Sequence, residues 1–169
     1  MRRKAFKLFS ILLFAFVAHG AISAQEVRQL KRGSYKNIVA AHTGKPFIVA
    51  LWSVSCTHCG ADLEIFDRLA KKYPEFNLVL ISTDTPEQLQ IIYNTLKRYQ
   101  LLQPERKHAG RIEAWVFADS YTERQRFEID SQWYGELPRT YFYDAKGKAS
   151  AISGVLDEDK AEQWVNAKP

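Results

Sequence analysis

Cysteine is scarce in this chain of 169 residues: there are two, Cys56 and Cys59, with Thr57 and His58 between them. No second Cys pair and no H-x-x-x-H cluster accompanies them, so the neighbourhood is short of the ligands a zinc site needs. A purely structural disulfide over so short a loop constrains little unfolded-chain entropy, which makes the pair better placed for reactivity than for stability. Long apolar runs are lacking too. The longest, from Leu8 to Ala18, falls short of the roughly 18 residues expected of a spanning helix. It follows Arg2, Arg3, Lys4 and Lys7 and leads to Ala24, the order of a signal peptide, so residues 1–24 are expected to be a leader and 25–169 one exported domain. No cysteine follows the apolar core, so a lipid anchor is unsupported.

Excess charge is also missing once the leader is set aside. Residues 1–24 hold four basic and no acidic residues, so the net charge falls from +5 to +1 without them. A near-neutral domain gives no electrostatic reason to expect nucleic acid or a membrane surface as partner. Repeats, low-complexity runs and interdomain linkers are absent, and a single, monomeric domain with a real hydrophobic core is expected.

The apolar periodicity alternates between two types. Ser34 to Ala41 reads as a short helix with Ser34 as cap, and Gly44-Lys45-Pro46 breaks it. Phe47 to Trp52 reads as a strand buried on both faces. A helix follows the cysteines, with Leu63, Phe66, Leu69, Ala70 and Tyr73 at helical spacing and Pro74 closing it. Phe76 to Ile81 reads as a strand. Asp84 and Pro86 mark a further helix start, with Leu89, Ile92, Leu96 and Tyr99 as its apolar face. A polar connection, 103–111, leads to a strand from Ile112 to Ala118 and a charged helix from Thr122 to about Asp130. Alternation of this kind predicts parallel crossover units in an α/β domain. The end differs: Thr140 to Tyr143 and Ala149 to Ser153 flank a Gly147-containing turn, which predicts an antiparallel hairpin. A last helix, about Asp157 to Asn166, presents Ala161, Trp164 and Val165 inward.

The cysteines therefore fall between a buried strand and the first turn of a helix. The unpaired N–H groups and dipole of that helix end favour an anion, so a Cys56 thiolate is stabilised there. Cys59, one turn on and deeper, is placed to resolve a mixed disulfide formed at Cys56. His58, as an N–H donor or cation, can lower the Cys56 pKa further; the bland alternative is a solvated residue. His42 and His108 lie in polar surroundings and are expected at the surface. Two thiolates with His58 also leave copper open as a ligand set, and Ser53, three residues before Cys56, leaves a peroxidase reading open. Against the latter, Val49 stands where the peroxidase motif has proline.

Three blocks in order carry a family resemblance. Gly44-Lys45-Pro46-Phe47-Ile48-Val49-Ala50-Leu51-Trp52-Ser53, Cys56-Thr57-His58-Cys59, and Glu136-Leu137-Pro138-Arg139-Thr140-Tyr141-Phe142-Tyr143-Asp144 followed by Gly147 resemble thioredoxin-like proteins of the TlpA/ResA type. The resemblance runs from about Ser34 to Val165. It implies a thioredoxin fold, an α/β domain with a central mixed sheet flanked by helices. It also implies a thiol-disulfide oxidoreductase without cofactor or metal, with Cys56 as nucleophile, Cys59 as resolving thiol, and a cis peptide between Leu137 and Pro138 facing Cys56. Thr57, His58, Leu137 and Pro138 are then the residues that tune the site. Protein thiols and disulfides and an upstream redox partner, in a bacterial periplasm, are the expected company.

Departures from the family pattern bear on the direction of electron flow. Ala50 stands where many relatives have an acidic or polar residue beneath the site, Ser55 replaces a bulky residue before the first cysteine, and Glu64 replaces a proline. Asp62 keeps an acidic residue just after the motif and is expected to be a solvated first-turn residue, with proton transfer at the sulfurs as the alternative. A reductant is the family-weighted expectation; Ala50 and His58 favour an oxidant or isomerase. Trp133 and Tyr134 are candidates for aromatic contacts with a partner, with core packing explaining them at least as well.

Overall fold

The computed structural model describes residues 27–102, 111–118 and 120–166. The leader, the connection at 103–110 and His108 lie outside the described residues. The fold is built on Phe47–Trp52 (β2), six residues buried without exception. A strand with no polar face must be covered on both sides and hydrogen-bonded on both edges. Leu78–Ser82 (β3) pairs with it in parallel on one edge and Arg139–Tyr143 (β5) antiparallel on the other. Ile112–Phe117 (β4) extends the sheet beyond β3, and Ala149–Ser153 (β6) beyond β5. Val27–Leu30 (β1) completes it in parallel with β4, giving the order β1-β4-β3-β2-β5-β6.

Helices cover the two faces as the residue alternation requires. Ile48, Ala50 and Trp52 point to the face packed by Cys59–Lys72 (α2), Leu89–Arg98 (α3) and Glu158–Asn166 (α5), where Leu63, Phe66, Leu69, Ile92, Leu96 and Ala161 are buried. Phe47, Val49 and Leu51 point to the other face, closed by Ser34–Ala41 (α1) and Thr122–Ile129 (α4). The expected β5–β6 hairpin is present. Asp144 Oδ1 accepts the N–H groups of Lys146 and Lys148 at 2.9 Å each, and Gly147 takes the positive φ of 80° that the turn requires.

Several expectations are corrected. β1 lies before Ser34, where the sequence pattern predicts no element, and only Val27 and Leu30 of its four residues are buried. Ser34 is the first residue of α1 rather than its cap, because Gly33, with φ at 81°, turns the chain into the helix. The turn after β3 is a 3-10 turn, Pro86–Gln88, capped reciprocally by Thr85 and Gln88, and α3 begins only at Leu89, which is exposed. Of the two aromatics, Trp133 takes the core-packing alternative, its indole N–H donating to the Glu136 carbonyl at 2.9 Å, whereas Tyr134 is exposed.

His42 is not at the surface. It is buried at the end of α1, stacked on Phe47 with ring centroids 4.5 Å apart and hydrogen-bonded through Nε2 to Glu113 Oε1 at 3.3 Å. Glu113 of β4 is itself buried and gathers Arg28 of β1, Arg111 and the indole N–H of Trp115. Burial alone pushes its pKa up. The hydrogen bond from His42 and the charges of Arg28 and Arg111 outweigh that and hold it at about 2.

Candidate functional site

Cys56 and Cys59 are joined in a disulfide with their Cα atoms 5.5 Å apart. The three residues before them leave β2 as a tight loop in which the Cys56 N–H donates to the Ser53 carbonyl at 3.2 Å. Cys59 opens α2 and is buried at 1% exposure, while Cys56 is partly exposed. A substrate therefore reaches the first sulfur and not the second. Thr57 and His58 are exposed, His58 at the N-cap position without a side-chain capping bond. With no carboxylate capping it, the helix end keeps its free N–H groups and positive dipole beside Cys56.

The loop is fixed by Asp84, a residue whose sequence context marks only a helix start. Asp84, just past β3, accepts Ser53 Oγ–H at 2.7 Å, the Val54 N–H at 2.9 Å and the Ser82 hydroxyl. Ser53 Oγ also meets Ser55 Oγ at 2.9 Å. Thus Ser53, considered above for peroxide chemistry, is engaged in holding the loop.

Leu137–Pro138 is a cis peptide, and Leu137 lines the same cleft as Cys56. The segment around it is held at several points. The Pro138 carbonyl accepts the Gly154 N–H at 2.9 Å, and Arg139 grips Asp130 at 3.1 Å and Ser153 Oγ at 2.6 Å. The tertiary fold thus brings Leu137, the residue before the cis proline, to the same cleft as Cys56, Thr57 and His58, with Cys59 bonded to Cys56. That cleft, lined by Cys56, Thr57, His58 and Leu137, has a volume near 470 Å³ and is completed by Ser53, Ser55, Thr83, Asp84, Thr85, Gln88 and Gly135.

Beneath the disulfide the expectation of a solvated Asp62 fails. Asp62 is 3% exposed, one turn beyond Cys59 on the buried side of α2. Its Oδ1 accepts the Leu156 N–H at 2.9 Å and its Oδ2 has no partner. Burial raises its pKa to about 6, against the smaller opposing effect of that hydrogen bond. Ala50 pairs with Thr140 across the sheet, so both share this face; Thr140 Oγ1 and Trp52 Nε1 are likewise buried and unpartnered. Among the described residues no group of three or more His, Cys, Asp or Glu is arranged to hold a metal ion, and no helix is long and apolar enough to cross a membrane.

Neither a protein-family model nor a curated protein matches the sequence. Solved structures do match. A secreted disulfide oxidoreductase of Mycobacterium tuberculosis, described as homologous to Escherichia coli DsbE, is similar over 76% of this chain and 86% of its own, with 20% identity and a TM-score of 0.56. A thiol:disulfide interchange protein of the thioredoxin family from Chlorobium tepidum gives 22% identity over 75% and 81%, with a TM-score of 0.56. StoA from Bacillus subtilis gives 15% over 73% and 84%, with a TM-score of 0.52. The chain has the thioredoxin fold, with a Cys-x-x-Cys disulfide at the start of its first helix after the central strand.

Proposed function

We propose that this protein is an exported thiol-disulfide oxidoreductase that acts on protein disulfides through Cys56 and Cys59, and that it works as a reductant of the TlpA/ResA type. The observation that carries the chemistry is the asymmetric pair at a helix N-terminus, one sulfur accessible and one buried, beside the cis Leu137–Pro138 loop. In the reduced protein the Cys56 thiolate attacks one sulfur of a substrate disulfide and expels the other as a thiolate, leaving a mixed disulfide. Cys59 gives up its proton and attacks Cys56 Sγ, which releases the second substrate thiolate and forms the intramolecular disulfide. Two electrons pass from the pair to the substrate, and an upstream thiol partner must restore them.

The reductant direction follows the TlpA/ResA resemblance of the sequence blocks, and Asp62 supplies the proton transfer that exchange at Cys59 needs. A buried carboxylate with one free oxygen, one turn from Cys59, suits the role of accepting the Cys59 proton as that thiol becomes a nucleophile. This supplies from α2 what Ala50 does not supply from β2. Residues 1–24 as a cleaved leader, a single domain over 25–169, a periplasmic site of action and a monomeric state belong to the same reading, in keeping with the secreted relative of similar fold. Thr57, His58, Leu137 and Pro138 tune the pair.

Equilibration of the pair against glutathione or dithiothreitol tests the direction. A potential near that of thioredoxin, about −270 mV, is expected; one near about −120 mV, the range of a strong oxidant, would assign the alternative role of oxidant or isomerase.

A further inference from the structure

The cleft beside Cys56 is polar along most of its wall, and its lining holds one carboxylate, Asp84, and no lysine or arginine. Asp84 is 8% exposed and takes part in no ion pair among the described residues. Hydroxyl and amide donors from Ser53, Ser82 and Val54 hold it. A carboxylate offers about four acceptor positions, so three donors leave one unused. A nearly desolvated charge without a counter-ion imposes its field on whatever enters the space next to it.

We propose that this cleft receives the side chain adjacent to the substrate's reactive cysteine, and that it selects a cationic one, lysine or arginine. The inference rests on the exchange chemistry proposed above. Cys56 and Leu137 share the cleft with Asp84, so a residue next to a substrate sulfur bonded to Cys56 enters a space that Ser55, Asp84, Thr85 and Gln88 also line. The hydroxyls of Ser55, Thr83 and Thr85 offer further acceptors for an ammonium or guanidinium group.

The test uses reduced protein and three peptides, each carrying a chromogenic mixed disulfide on one cysteine and identical except for Lys, Gln or Glu beside it. Exchange is followed at pH 8, where histidine side chains as a class are uncharged. Each rate is divided by that of the same peptide with dithiothreitol, which removes differences in intrinsic disulfide reactivity. The Lys peptide is expected to react about tenfold or more faster than the Glu peptide at low salt, with the ratio falling as ionic strength rises. Asp84→Asn should bring the ratio towards one, and Gln88→Lys should lower it with the Asp84 network left in place. Equal normalised rates for the three peptides, with brisk exchange of the Gln peptide, would overturn the charge selection and leave the oxidoreductase reading standing. No exchange with the Gln peptide would remove both.

Discussion

Ionised Asp62 has one oxygen bonded to the Leu156 N–H and the other buried without a hydrogen-bond partner. Its pKa of about 6 lies above the 3.8 of an unfolded chain, so the folded state holds this proton more tightly. Stability is therefore lost as pH rises from about 4 through about 6, and the loss is complete at pH 8. Asp62→Asn keeps the acceptor for Leu156 and removes the charge. We expect it to raise unfolding free energy at pH 8 by on the order of 1–2 kcal/mol, to leave it near wild type at pH 3.5, and to slow exchange. Urea unfolding at the two pH values checks this; destabilisation of equal size at both would refute the assignment. The residue itself was visible in the sequence as an acid in a first helical turn. Its burial was not, because the segment that covers it, around Leu156, lies far along the chain and is brought in by the β5–β6 hairpin.

At the scale of elements, β1, α1 and β4 are tied by Glu113. Its pKa of about 2 lies below the 4.5 of an unfolded chain, so its contribution to stability is fully present above about pH 4.5 and is lost as pH falls towards 2. Glu113→Gln should lower unfolding free energy at pH 7 by about 2–3 kcal/mol and flatten the acid limb of the stability profile over that range. An unchanged acid limb in the variant would show that the contacts with His42, Arg28 and Arg111 contribute nothing. None of this was legible beforehand. β1 offers two apolar residues in four, too few to declare a strand, and His42 among polar neighbours gave no sign that Phe47 would stack on it. The longer elements were legible because burial writes itself into their periodicity: β2 by its unbroken apolar run, α2 by its helical spacing from Leu63 to Ala70.

For the whole molecule, the sheet order places β2 between β3 and β5, and the redox loop leaves β2 with Asp84 past one neighbour and Pro138 ahead of the other. The cysteines and the cis-proline segment could be matched from sequence because each is a contiguous block. The cleft between them could not, since Ser53, Asp84 and Gly135 belong to three separate segments with no shared spacing. In the proposed mechanism, exchange runs through an accessible Cys56 and a resolving, buried Cys59. Its most direct test is acid-quenched reaction of reduced Cys59→Ser and Cys56→Ser proteins with a disulfide-bonded peptide, read by intact mass. Cys59→Ser is expected to accumulate one peptide per chain, linked at Cys56, and Cys56→Ser to form no adduct on that timescale. Adduct formation or turnover in Cys56→Ser at the wild-type rate would contradict it.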